Sequence, residues 1–153
     1  MYSFYREYFK SRHVLITHID SFIYRPIDEY LFEYDNIGSP WPHYPSKVGN
    51  GGYVLRKVST MQFTLGVRKP EEVGYILESG YAQQKSEAED VFWATNVKNQ
   101  PPSDIALAFG VEMYSKCDLI PTGAHQISRF AGTFECSGDY WRFWDQFLSS
   151  KTL

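Results

Sequence analysis

The chain has little cysteine, no basic block and no long apolar run, and each shortage removes a class of function. Two cysteines in 153 residues, Cys117 and Cys136, are too few for a disulfide scaffold. They read as reduced thiols, with one disulfide as the alternative, and no spacing resembles a zinc site. Lys and Arg number 15 against 18 Asp and Glu, giving a formal net charge of −3 and a pI of about 5.8. Without a basic stripe to neutralise phosphates, nucleic-acid binding is excluded as a main activity. No segment approaches the roughly 20 apolar residues of a membrane span. The N-terminal residues carry Arg6, Glu7 and Lys10, where a secretory leader needs an apolar stretch. There is no Asn-x-Ser/Thr acceptor. These shortages together predict a soluble cytoplasmic protein.

Aromatic residues are abundant: 12 Tyr, 11 Phe and 4 Trp, or 18% of the chain. Most must fill a core, but aromatic faces also stack well on the C–H groups of sugar rings. The length suits one domain with one core, spanning residues 1–153.

The order of elements predicts an α/β fold. Phe4–Ser11 has aromatics at helical spacing. His13–Ile19 is β-branched and mostly apolar, which reads as a buried, central, parallel strand. Asp20 and Ser21 end it, and a carboxylate just beyond such a strand is where open α/β sheets hold their ligands. Pro26–Phe32 reads as a short helix and Asn36–Pro45 as a loop held open by prolines. Val48-Gly-Asn-Gly-Gly52 follows as a glycine loop, and Tyr53–Arg56 as a strand. Ser59 caps a predicted helix reaching about Val67, and Glu71–Glu78 reads as a weak second helix. Ser86-Glu-Ala-Glu89 fits a capping box opening a helix over Glu87–Val97. Pro101-Pro-Ser-Asp104 opens another, with Ser103 as cap. Phe109–Tyr114 has strand composition, Pro121–His125 reads as a loop leading into Ile127–Phe130, and Asp139–Leu148 as an amphipathic helix.

These landmarks resemble the glycosyltransferase-A fold. More narrowly, they are similar to a glycosyltransferase-like family marked by four motifs in order, with two further matches. Here they stand as Asp20-Ser-Phe22, Gly38-Ser-Pro-Trp41, Val48-Gly-Asn-Gly-Gly-Tyr-Val-Leu-Arg56, Glu89-Asp-Val-Phe-Trp93 and, further on, Phe109-Gly-Val-Glu112 with Pro121-Thr-Gly-Ala-His125. The resemblance covers about residues 1–130. It implies a three-layer, Rossmann-like core that lacks the usual N-terminal nucleotide-binding β-α-β segment. It also implies an enzyme that moves a sugar from a nucleotide-sugar to a hydroxyl acceptor with inversion, assisted by Mn²⁺ or Mg²⁺. Two departures accompany it: the missing segment, and His18-Ile-Asp20 in place of an Asp-x-Asp pair. Both leave open a non-catalytic remnant that binds sugar or serves as an interaction module. A metal-dependent hydrolase built on Asp20, Asp90 and His125 is a third expectation. An exposed sheet edge left by the absent segment invites homo-oligomerisation.

Each candidate residue has a plainer alternative. Asp20 would hold a cation bridging the donor diphosphate, or would merely cap a turn. His18 shares a strand face with Asp20 and would be a further ligand, or a satisfied core histidine. His125 is, by the resemblance, a late metal ligand, or a loop histidine bonded to backbone. Gly49, Asn50, Gly51 and Gly52 would shape the substrate pocket, and equally form a tight turn needing positive φ. By the resemblance Asp90 is the general base that takes the acceptor proton and Glu89 orients the acceptor, unless Glu89 only closes the capping box. Trp41, Tyr53 and Trp93 would stack on sugar, or belong to the core.

Overall fold

The computed structural model describes residues 10–41, 44–67, 89–112 and 121–126. The helices expected at Glu71–Glu78 and Asp139–Leu148, the aromatic segment Phe4–Phe9, the segment Ile127–Phe130 and both cysteines lie outside these residues.

Strands β1 (His13–Thr17), β3 (Asn36–Trp41) and β4 (Tyr44–Lys57) form one sheet in the order β1-β4-β3, antiparallel throughout. Strands β2 (Ser21–Ile23), β5 (Gly110–Val111) and β6 (Gly123–His125) form a second in the order β2-β6-β5, with β5 and β6 parallel. A 3-10 helix spans Glu29–Glu33. Three α-helices follow: α1 (Val58–Val67), α2 (Glu89–Asn96) and α3 (Ser103–Phe109). Helices and strands thus mix around small open sheets, which is the α/β class.

Both faces of the first sheet are covered. Val14 and, partly, Ile16 pack with Val58, Met61, Phe92, Trp93 and Val97 from α1, α2 and the turn after it. Leu15, Ile37, Tyr53 and Leu55 pack on the opposite side with Leu31 and Phe109. Burial on both sides explains the continuous apolar run of β1. The parallel pairing expected from that run is corrected: β1 pairs antiparallel with β4, His13 opposite Lys57 through Thr17 opposite Tyr53. Two-sided burial, rather than strand direction, dictates such composition. Among the described residues β1 is also an edge strand rather than a central one.

Two expected loops are strands. Asn36–Trp41 is β3, whose Pro40 sits where the register with β4 shifts, a position that tolerates the missing N–H. Gly123–His125 is β6. Helix α1 begins at Val58, one residue before the expected cap Ser59. In α3 the cap position belongs to Pro102, with no side-chain cap bond, so Ser103 is the first helical residue instead.

The glycine segment is corrected as well. It lies inside β4 as a wide bulge, not in a loop between elements. Gly38 faces Val54, yet Ser39 faces Asn50, so one step on β3 spans four on β4. Gly51, Gly52 and Tyr53 are the unmatched residues, and Gly49 turns the strand at φ +110. Bulges of this kind re-aim side chains and break the two-residue alternation.

Candidate functional site

Beyond Thr17 the chain makes a tight turn in which Ser21 N–H donates to His18 O at 3.1 Å. His18 N–H and Ser21 Oγ both donate to Gly52 O, at 2.9 and 2.6 Å, fastening the turn to the bulge of β4. Strand β2 starts at Ser21 and pairs with β6 so that Ser21 stands opposite His125. Turn, bulge and short sheet thereby bring three side chains to one point. His125 Nε2 lies 3.2 Å from Asp20 Oδ1 and 3.3 Å from His18 Nδ1. One ligand atom from each of His18, Asp20 and His125 falls within 4.8 Å of the others. The two imidazoles meet edge to face, with centroids 4.9 Å apart.

Burial differs within the cluster. His125 is 4% exposed, whereas the Asp20 side chain is 50% exposed and His18 is exposed. Burial pushes the His125 pKa below its ordinary value; the Asp20 carboxylate opposes that shift and the neighbouring His18 adds to it. A neutral imidazole is the form that ligates a cation. Behind the ring, His125 Nδ1 lies 3.2 Å from Oε1 of buried Glu112, within ion-pair reach but not aligned as a hydrogen bond. Two nitrogens and one carboxylate oxygen could hold a metal ion, and nothing in the set selects Mn²⁺ or Mg²⁺.

The bulge decides what reaches this point. A Cβ on Gly52 would overlap the His125 ring, while one on Gly51 would meet Glu89 Oε1 at 2.6 Å and Asp90 Cβ at 3.1 Å. Consecutive glycines therefore admit β6 on one side of β4 and the start of α2 on the other. Gly52 and Tyr53 both face β6, whereas Gly51 and Arg56 both face α2. The candidates fall into two groups: His18, Asp20 and His125 on one side, Glu89 and Asp90 on the other. Asp20 and Asp90 do not converge on one point.

The second group is held by its own bonds. Arg56, 1% exposed, donates through Nη1 to Glu89 Oε2 at 2.6 Å and through Nη2 to Glu89 Oε1 at 3.3 Å. Its Nε donates to Asn36 Oδ1 at 3.2 Å, and its guanidinium lies 5.4 Å from the Trp93 ring centroid. Glu89 is thus an ion-pair partner rather than a free acceptor-orienting group. Asp90 accepts Val91 N–H at 2.8 Å and Gly51 N–H at 3.4 Å. Trp93 is 0% exposed, so its expected role in stacking on sugar is corrected to core packing; Tyr53 is core as well, stacked on Phe109. Trp41, half-buried, ends β3 opposite Tyr44. Asn50 Oδ1 accepts Gly52 N–H at 3.3 Å, so its side chain stiffens the bulge. Arg56 and Glu112 both lay within the sequence motifs, and a buried charge facing another charge was the signal that sequence alone did not pair.

Among the described residues no helix is long and apolar enough to cross a membrane. No curated protein and no solved structure matches the chain. A family model does match, over residues 1–125, with the description "Protein of unknown function (DUF5672)". Matched over most of its length, the chain belongs to the DUF5672 family.

Proposed function

We propose that this protein is a metal-assisted glycosyltransferase with a three-layer, glycosyltransferase-A-like core, transferring a sugar from a nucleotide-sugar to a hydroxyl acceptor. The observation that carries this reading is the meeting of His18, Asp20 and His125, distant in the chain, just past the end of β1. A divalent ion bound there would offset charge on the departing diphosphate. His125, buried and biased toward its neutral form, keeps a lone pair ready for a cation. Asp20 and His18, both exposed, leave the cluster open to a phosphate-bearing ligand. The glycine bulge beside it gives the His125 ring the room to reach Asp20 and His18.

In direct displacement the acceptor oxygen forms a bond to the anomeric carbon as the carbon–phosphate-oxygen bond breaks. The nucleoside diphosphate leaves with the electron pair, and the acceptor proton passes to a base. Asp90 is the base in this reading: its two oxygens accept two backbone N–H groups, and a carboxylate has lone pairs left for a third donor.

A non-catalytic sugar-binding module is the second reading, and the separation of Asp90 from the cluster by the step from Gly51 to Gly52 favours it. A panel of nucleotide-sugars, with and without Mn²⁺, distinguishes the two. Nucleotide release that needs Mn²⁺ and disappears in Asp90→Asn supports transfer. Release unchanged in the variant removes Asp90 from the mechanism, and no release with any donor supports the binding module.

A further inference from the structure

Helix α2 is anchored unevenly. Phe92, Trp93 and Ala94 are buried, whereas Glu89, Asp90 and Val91 at its start are only half-buried. Apolar packing therefore holds the later residues, and polar contacts must hold the first turn. Asp90 supplies little of that hold. Its Oδ1 accepts the N–H of its own neighbour Val91 at 2.8 Å, and the bond from Gly51 N–H is long, at 3.4 Å. Arg56 supplies more. It stands on β4 between Val14 of β1 and Asn36 of β3, and is 1% exposed. Its Nη1 and Nη2 donate to the two Glu89 oxygens at 2.6 and 3.3 Å, and its guanidinium lies 5.4 Å from the Trp93 ring centroid. Glu89 and Trp93 are four residues apart and share one helix face. A single side chain of the sheet thus ties the start of the helix to its packed part. A planar fork fixes direction as well as distance, which a point charge does not.

We propose that Arg56 is the positioning residue for Asp90: by gripping Glu89 it seats the first turn of α2 on Gly51 and holds the Asp90 carboxylate at the bulge. Gly51 is the seat, since a Cβ there would meet Glu89 Oε1 at 2.6 Å and Asp90 Cβ at 3.1 Å. Seat and grip lie on one strand, so the carboxylate is placed relative to β4 and not only relative to its own helix. Arg56 touches no substrate in this account and acts only through Glu89. The consequence for turnover rests on the reading of Asp90 as the base, but the seating does not.

The test reads native-state hydrogen exchange of the full chain, labelled with ¹⁵N and free of metal. The Gly51 amide reports the seat, and the Leu55 amide, in the core of β4, reports global opening. The wild type should protect Gly51, and Asp90→Ala should remove that protection. Glu89→Gln should speed Gly51 exchange by about 10-fold beyond any change at Leu55, the order expected for a lost charge-assisted bond. Arg56→Lys, which keeps the charge without the fork, should show the same excess. Ile37→Val, a core change on the other side of the sheet, should show none. A Gly51 amide unprotected in the wild type, or still protected in Asp90→Ala, overturns the proposal. So does a folded Glu89→Gln or Arg56→Lys protein with no excess at Gly51. In a protein that transfers sugar, Glu89→Gln should also lower kcat by about 10- to 100-fold. The donor KM and the Co²⁺ affinity, read by visible absorption, should not change. A loosened Gly51 with kcat at the wild-type level overturns the positioning role. The expected exchange pattern in a protein that releases no nucleotide from any donor supports the seating and overturns the reading of Asp90 as base alone.

Discussion

Gly52 and His125 occupy one space: a Cβ on residue 52 would stand inside the imidazole ring. The histidine reaches Asp20 and His18 only because residue 52 has no side chain. Gly52→Ala must push β6 away or swing the ring out of the cluster. We expect a loss of about 1–3 kcal/mol of stability, as for other overpacked sites, together with loss of Co²⁺ binding. Urea denaturation and Co²⁺ absorption measure the two effects. Full Co²⁺ affinity in a folded Gly52→Ala protein would show that His125 is not a ligand.

Arg56 and Glu89 make an asymmetric pair, with side chains 1% and 36% exposed. Removing the carboxylate strands a buried guanidinium, whose remaining described contacts include Asn36 Oδ1 and the Trp93 ring. Glu89→Gln should cost about 1–3 kcal/mol, reduced from the full penalty of a broken buried pair because water reaches the glutamate side. The midpoint of urea unfolding should fall with the slope unchanged. Co²⁺ affinity should stay at the wild-type level, because the pair lies across β4 from the cluster. A coupled loss of Co²⁺ binding would contradict that separation.

Asp90→Asn should leave the ion site intact for the same reason. If the protein transfers sugar, the substitution should cut turnover by about 10²- to 10⁴-fold, the usual range for a lost general base. Steady-state rates at saturating Mn²⁺ measure this, and Co²⁺ titration of the variant verifies that the cluster is undisturbed.

Two histidines set a pH dependence. Burial is the first cause lowering both His13 and His125 below the ordinary value of 6.5. With the folded pKa lowered, the unfolded chain binds more protons as pH falls. Stability is therefore full above about pH 6.5 and declines as pH drops through 6.5 toward the folded values. Urea midpoints at pH 7.5, 6.5 and 5.5 should fall in that order. His13→Gln, which removes one of the two groups, should make the decline shallower. A midpoint that rises as the solution is acidified over this range would contradict the sign.

Part of the candidate cluster was legible from sequence, and the reasons are local. His18 and Asp20 flank one residue at the end of an apolar strand, and that strand end was the signal. His125 came from the resemblance, since nothing local in Pro121–His125 shows that its register puts it opposite Ser21. The bulge was the feature least visible. Val48–Gly52 reads as a loop because glycines break propensity, yet here they let β4 continue while admitting β6 and α2 at adjacent residues. Strict alternation along Gly51 to Arg56 fails for that reason, since Gly52 and Tyr53 face the same side. Strand direction was misread in β1 because two-sided burial arises here from helices over an antiparallel sheet. The sequence left Trp93 between sugar stacking and the core, and its packing with Val14, Val58 and Met61 decides for the core.

The cluster of His18, Asp20 and His125 is the claim on which the rest depends, and metal titration tests it most directly. Mn²⁺ binding to the full chain, followed by loss of the free-ion paramagnetic resonance signal, should show one ion per chain in the wild type. It should be abolished in His125→Ala and in Asp20→Ala. Absence of binding in a folded wild-type protein, or binding that survives unchanged in both variants, would contradict the account.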